Sequence, residues 1–360
     1  MALDRSTLTL AVDVMGGDNG PQAVIDGCRL ALDDGLQSKL VLVGQESAIA
    51  EARSRTSLPD DRVSVIHAEG VVAMDDKPAK ALRRAKDSSM WAAIDQVKEG
   101  AANGIVSCGN TGALMAIARM RLKMIEGVDR PAASALWPSM SGKAVVLDVG
   151  ANVDVTADQL VQFAIMGEAF FRAMTEKEKP RVGLLNIGEE DLKGNALIKH
   201  AAKVLREADP EMDFIGFVEG NDISSGEVDV VVTDGFTGNI ALKTAEGTAR
   251  LLGGWVKEAL TANLMSKMGA ALMMPSLKKL KDRMDPASVN GAPLLGLNGL
   301  VVKSHGGSEP EGIASALELA EELAAHPFLD QIKETIADVA DRAVELPTDD
   351  EETASAAAAE

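Results

Sequence analysis

The chain of 360 residues contains no tyrosine, and aromatic residues make up only 3% of it. Stacking on nucleic-acid bases needs aromatic rings, so that mode of recognition is disfavoured. Cations are also short. Lys and Arg number 36 against 55 Asp and Glu, a formal charge of −19. Binding along a phosphate backbone needs clustered Lys and Arg, so a general nucleic-acid binder is not expected, although a local basic patch is compatible with this balance. Two cysteines, Cys28 and Cys108, stand far apart with no CxxC pair, which argues against a thiolate zinc site or a disulfide framework. The four histidines, His67, His200, His305 and His326, are scattered, and no H-E-x-x-H occurs, so no metal is expected. No apolar run approaches the ~20 residues of a spanning helix. The first seven residues are charged without an apolar stretch, so a secretory signal is not expected and the setting reads as cytoplasmic.

Familiar enzyme signatures are missing too. There is no G-x-x-x-x-G-K-[ST] and no G-x-G-x-x-G after the first strand, which removes the usual nucleotide cradles. No G-x-S-x-G elbow appears, which disfavours a serine hydrolase. No repeat with a period of 20–50 residues is visible.

What remains is an ordinary globular composition, 46% apolar and 25% charged, in a chain long enough for a large core. Short β-rich runs alternate with longer amphipathic ones, such as Asp87–Glu99, Ala157–Met174 and Asn195–Ala208. Strands are predicted at Leu8–Val14, Leu40–Gly44, Val63–His67, Gly104–Ser107, Ala144–Val149, Val182–Ile187, Asp213–Val218, Val228–Thr233 and Leu300–Lys303. Runs such as Val228-Asp229-Val230-Val231-Val232 are typical of strands covered on both faces. The alternation predicts an α/β fold with a mostly parallel sheet flanked by helices. Residues 1–346 read as one α/β domain. It includes a protruding helical pair at about 243–290, with an apolar tip at Gly269–Pro275. Residues 347–360 read as an acidic, Ala-rich flexible tail.

Ligands of parallel sheets bind beyond the carboxyl ends of the strands. Here those ends are dense in Gly, Asn and Asp: Asp13–Asn19, Cys108–Gly112, Asp148–Asn152, Asn186–Gly194 and Asp234–Asn239. They are expected to share one sheet edge. Glycines such as Gly16, Gly17, Gly109 and Gly112 let a backbone approach a ligand closely. The loop Gly109-Asn110-Thr111-Gly112 precedes a helix and fits an anion cradle. It fits an N-cap with a tight turn equally well.

Six blocks carry a family likeness: Asp13-Val14-Met15-Gly16-Gly17-Asp18, Gly109-Asn110-Thr111-Gly112-Ala113-Leu114, Leu147-Asp148-Val149-Gly150-Ala151-Asn152, Asn186-Ile187-Gly188-Glu189-Glu190, Asp234-Gly235-Phe236-Thr237-Gly238-Asn239, and Gly291 to Gly299. Together, in order from about residue 8 to about residue 330, they resemble the bacterial phosphate acyltransferase (PlsX) family. The resemblance implies transfer of a fatty acyl group from acyl carrier protein to inorganic phosphate. The product would be an acyl phosphate, used for phospholipid synthesis by a glycerol-3-phosphate acyltransferase. It also implies a fold related to the isocitrate/isopropylmalate dehydrogenases and phosphate acetyltransferases, a homodimer, a peripheral place on the inner face of the cell membrane, and no cofactor. A short-chain acyl-CoA phosphate acyltransferase and a non-catalytic membrane scaffold are the alternatives.

Phosphate is already a nucleophile, so such a reaction needs positioning and oxyanion stabilisation more than a triad. Asn110, Thr111, Asn152 and Asn239 offer donors. Lys193 alone reads as a solvated loop lysine. With the resemblance it becomes the candidate cation for phosphate, and Asn239, which alone fits a left-handed turn residue nearly as well, the candidate oxyanion or carbonyl donor. His305 either contacts phosphate or protonates the leaving thiolate, or it only shapes a helix start. Leu272, Met273 and Met274, flanked by Lys267, Lys278, Lys279 and Lys281, suit either a membrane-surface contact or a dimer contact. Lys77, Lys80, Arg83, Arg84 and Lys86 form a candidate dock for the acidic carrier protein, or a solvated helix face.

Overall fold

The computed structural model describes residues 3–175, 177–208, 212–284 and 291–343. The chain runs through β1 (Thr9–Asp13), α1 (Gly20–Asp33), β2 (Lys39–Gly44), α2 (Glu46–Arg55), β3 (Val63–His67), α3 (Pro78–Arg84), α4 (Ser89–Lys98), β4 (Gly104–Ser107) and α5 (Thr111–Leu122). The hairpin β5 (Ala132–Ser139) and β6 (Gly142–Leu147) leads to α6 (Ala157–Thr175), β7 (Arg181–Leu185), α7 (Ala196–Ala208), β8 (Asp213–Val218) and β9 (Val230–Val232). Two long helices follow, α8 (Gly235–Thr261) and α9 (Leu264–Met284), then β10 (Ala292–Leu295), β11 (Leu300–Lys303), α10 (Pro310–Ala324) and α11 (Phe328–Ala343).

These strands form one 11-stranded sheet in the order β3-β2-β1-β4-β11-β10-β5-β6-β9-β7-β8. The strands β3, β2, β1, β4 and β11 are mutually parallel, as are β6, β9, β7 and β8. Between them, β11–β10, β10–β5 and β5–β6 are each antiparallel. Three successive reversals turn the second parallel group against the first. The carboxyl ends of β1, β4 and β11 therefore open on one edge of the sheet, and those of β6, β7 and β9 on the other.

Apolar side chains alternate between two cores, one on each face. Leu10, Val12, Leu40 and Leu42 pack with α1, α6, α10 and α11 on one face. Ala11, Val41, Val43, Ile105 and Val231 pack with α4 and α5 on the other, where the start of α8 also docks through Ala241, Leu242 and Ala245. Phe170 of α6 meets Phe328 of α11 edge-to-face, with centroids 6.4 Å apart, an arrangement worth ~0.5–1.5 kcal/mol beyond its buried area.

Two expectations need correction. The helical pair is present, but its break falls at Ala262–Asn263, and Gly269–Met274 lie inside α9 rather than at a tip. Helix formers Ala270, Ala271 and Leu272 carry the helix past Gly269. The second correction concerns the shared edge: the Gly/Asn loops divide between two opposite edges. The strands that cause this, β5 and β10, were not predicted, because Ala-Ala-Ser-Ala and Ala-Pro-Leu-Leu lack a β-branched run. The side chains of Lys278, Lys279 and Lys281, and the whole tail 347–360, lie outside the described residues.

Candidate functional site: two loop groups on opposite sheet edges

The first group gathers the loops after β1, β4 and β11. Gly17 adopts φ +99°, and a Cβ there would stand 2.9 Å from Cys108 Cβ and 3.0 Å from the Gly306 carbonyl oxygen. Only glycine permits both the conformation and the contact. Asp18 N donates to Gly306 O at 2.8 Å, and Asn19 Nδ2 to Ser308 O at 3.0 Å, so the first and third loops are laced together. Beneath them lies Asp13. It is buried, and its carboxylate accepts from the Ser89 hydroxyl at 2.6 Å and the Ser107 hydroxyl at 2.7 Å. Burial pushes the Asp13 carboxyl up, and the two serine hydroxyls resist that push.

Asn110 caps α5: its Oδ1 accepts from Ala113 N at 2.9 Å. Its Nδ2 donates to Met74 O at 2.7 Å and Asp76 O at 3.0 Å. The amide expected to meet a ligand instead fastens the 73–76 loop, because a part-buried amide takes whatever backbone partners are in reach. Thr111 is exposed at the first turn of α5, and Gly112 packs against Pro78. The exposed His305 takes a hydrogen bond from Gly307 N on Nδ1 at 3.2 Å. Gly16, Gly17, Gly109, Asn110, Thr111, Gly112 and His305 are thus brought together. The basic side chains of Lys77, Lys80, Arg83 and Arg84 are exposed on and beside α3, which packs on α5. Lys80 pairs with Asp76.

A residue absent from the sequence-based site sits in the middle of this group. Lys303 ends β11 and is 8% exposed. Its ammonium donates to Cys108 O at 3.4 Å and to Ser304 O. Burial brings its pKa down to about 8, against the attraction of Asp13 and Asp18. A lysine closing the apolar run Leu300-Val301-Val302 just ahead of a Gly-rich loop was the signal that could have found it.

The second group gathers the loops after β6, β7 and β9. Asp148 is its hub. The carboxylate accepts from Ala133 N, Gly150 N, Ala151 N, Asn152 N and Asn152 Nδ2 at 2.7–3.1 Å. Burial pushes this carboxyl up as well, with those donors opposing. Asn152 is buried and gives its second amide hydrogen to Pro131 O at 2.8 Å, so it holds the loop and is not available to a ligand. At Gly238 a Cβ would stand 1.9 Å from the Asp148 carbonyl oxygen. That contact lets the first turn of α8, N-capped by Asp234, sit on the 148–152 loop. Asn239 is exposed in the same turn, and Gly150 faces its side chain. Lys193 is exposed on the 186–194 loop, which Asn186 secures through Nδ2 to Gly188 O at 3.1 Å. Among the described residues, neither the Lys193 ammonium nor the Asn239 amide has an intramolecular partner. Lys193, Asn239 and Asn152 are therefore grouped together, on the edge opposite the Gly109–Gly112 loop.

Leu272, Met273 and Met274 belong to neither group. They are exposed on α9 at 87%, 54% and 58%, beside the exposed Lys267. Among the described residues no helix is long and apolar enough to cross a membrane, and no His/Cys/Asp/Glu cluster suits a metal.

Comparisons with known proteins agree with this architecture. A family model described as "Fatty acid synthesis protein" matches residues 8–331. The phosphate acyltransferase of Maricaulis maris is 54% identical over 328 residues, 90% of this chain and 93% of that protein. Among solved structures, a phosphotransacetylase from Streptococcus pyogenes aligns with TM-score 0.61 at 17% identity, covering 88% of this chain and 94% of its own. A 4-hydroxythreonine-4-phosphate dehydrogenase from Klebsiella pneumoniae gives 0.53 at 14% identity, covering 89% and 98%. These last two share the fold, a mostly parallel sheet with flanking helices. The extent and identity of the sequence matches establish that this chain belongs to the phosphate acyltransferase (PlsX) family.

Proposed function

We propose that the protein transfers a fatty acyl group from acyl carrier protein to inorganic phosphate. A phosphate oxygen attacks the thioester carbonyl, a C–O bond forms, the tetrahedral oxyanion collapses, and the C–S bond breaks to release the carrier's thiolate. The product is an acyl phosphate, suited to a glycerol-3-phosphate acyltransferase. The observation that carries the reading is the pair of unengaged donors on a rigid frame. Asp148, Asn152 and Asp234 are tied into the loops, as is Asn186 through its Nδ2, while among the described residues the Lys193 ammonium and the Asn239 amide have no intramolecular partner. Lys193 neutralises the phosphate and the developing negative charge, and Asn239 donates to the oxyanion. His305 and the Gly16–Gly17 and Gly109–Gly112 loops serve the phosphate from the first group. The strand directions separate the two groups within one chain, so the reading requires a homodimer in which they meet across two copies.

Acidic carrier protein fits the exposed Lys77, Arg83 and Arg84 beside the first group. The exposed Leu272, Met273 and Met274 with Lys267 support peripheral contact with an anionic membrane from the cytoplasmic side. The deciding assay is phosphate-dependent acyl-phosphate formation from a panel of thioesters. Long-chain acyl carrier protein is expected to be the best donor. Turnover confined to short-chain CoA thioesters would replace this reading with the short-chain one, and no turnover would leave a scaffold. Leu272→Asp with Met273→Asp is expected to release the protein from anionic liposomes while turnover in solution persists. Unchanged flotation would remove α9 as the anchor.

A further inference from the structure

Lysine is rarely buried without a carboxylate beside it. Lys303 is such a case: it is 8% exposed, and among the described residues its ammonium meets two backbone carbonyls and no carboxylate at ion-pairing distance. Asp13, which could have been its partner, is turned toward Ser89 and Ser107 instead. Asp18 hydrogen-bonds through its backbone to Gly306 and acts on Lys303 only at a distance. The cation is therefore held at the junction of three glycine-rich loops with its charge largely uncompensated. The two carbonyls that it binds, those of Cys108 and Ser304, belong to the peptides entering the second and third loops. Drawing the Ser304 carbonyl inward turns the N–H of the following peptide, that of His305, the opposite way. The twelve-residue helix α5 also begins here and adds the positive end of its dipole.

We propose that Lys303 is the buried cation of an oxyanion pocket formed by the loops after β1, β4 and β11. It fixes the loop carbonyls and supplies the positive field that a tetrahedral dianion, inorganic phosphate or its analogue sulfate, completes. This role deepens the phosphate reading of the first group and rests on it. Lys303 is a positioning residue, separate from Lys193 on the other edge, and its charge rather than its length is what the pocket uses.

A bound dianion favours the charged form of the ammonium, so binding and protonation are linked. Sulfate does not itself take up protons near neutrality, which makes it the suitable probe. Calorimetric titration of the wild-type protein with sulfate at pH 8, in buffers of different ionisation enthalpy, is expected to show uptake of about half a proton per site. That figure follows from a group half charged near its pKa of about 8. The other titratable groups facing Lys303 are Asp13, Asp18, Cys108 and, in its own loop, His305. Burial pushes the Cys108 thiol up, which leaves it protonated and unable to take up more. His305→Gln is expected to weaken sulfate, since that ring serves the phosphate in the reading above, yet to keep the proton uptake per sulfate bound, which isolates the lysine. Lys303→Met is expected to abolish the uptake and weaken sulfate and phosphate about tenfold or more, as loss of a nearby buried positive charge does. Sulfate binding to the wild-type protein without proton uptake between pH 7 and 9 would overturn the proposal, even if Lys303→Met failed to fold. So would an unchanged affinity in a folded Lys303→Met. Proton-linked sulfate binding in a protein that makes no acyl phosphate would keep this pocket and discard the acyl-transfer reading.

Discussion

The two loop groups use the same vocabulary of Gly, Asn and Asp, yet they bury opposite charges in different ways. On the β1/β4/β11 edge a cation, Lys303, lies inside and its field reaches outward through glycine backbone. On the β6/β7/β9 edge a carboxylate, Asp148, lies inside, satisfied by five donors, and the cation and amide are left at the surface. In the first arrangement the ammonium is fixed by the Cys108 and Ser304 carbonyls and cannot swing. In the second, Lys193 and Asn239 project from loops that are themselves locked. Residue type alone would not separate these roles; what each side chain is already bonded to does.

The comparison can be broken most severely at Gly238. Gly238→Val places side-chain carbon where the Asp148 carbonyl oxygen already is, and is expected to cost about 3 kcal/mol or more in chemical denaturation, the range of gross overpacking. A stability loss below ~1 kcal/mol would show that the second group is not locked in the way described. Next in size is Lys193→Ala, expected to lower turnover about 100- to 1000-fold with the melting curve unchanged, the scale of losing one oxyanion-stabilising donor. Full activity would remove Lys193 from the mechanism. Mixing sharpens the point. Thr111→Asp puts a carboxylate at the exposed start of α5, where it suits the helix but repels an oxyanion. Inactive Lys193→Ala and inactive Thr111→Asp, refolded together, are expected to recover up to about a quarter of wild-type turnover, because half of the random dimers carry one intact composite site. No recovery would place each reaction centre within a single chain. The smallest effect is expected at Gly253 and Gly254 in α8, where a Cβ would meet nothing within 4 Å. Either glycine changed to Ala should raise stability by ~0.5–1 kcal/mol in the isolated chain. A loss instead would mean that another surface presses against α8.

Much of the fold was legible. The β-branched runs at 228–233 and 300–303 became β9 and β11, and the amphipathic stretches became α4, α6 and α7. The capping reading of Asn110 was legible as well, since Asn before a helical run is a local signal. The relative placing of the loops was not. Sheet order and strand direction depend on pairings between distant segments, and β5 and β10, which set them, are short and alanine-rich. That Asn152 holds its own loop is hidden in the sequence for a related reason. Sequence shows that an amide can donate, but Pro131 O, which claims that donor, is 21 positions away in the chain. Lys303 was overlooked because a lysine at a strand end ordinarily points to water.

The helices α8 and α9 carry Leu251, Leu252, Trp255, Leu264, Met265, Met268 and Leu272 at 44–87% exposure. Wetting that much hydrocarbon costs ~25 cal/mol for each Å² left uncovered. Handling should reveal it: a dilute sample ought to stick to plastic, smear on a sizing column and lose specific activity as it is thinned. A trace of mild detergent or added vesicles should restore it.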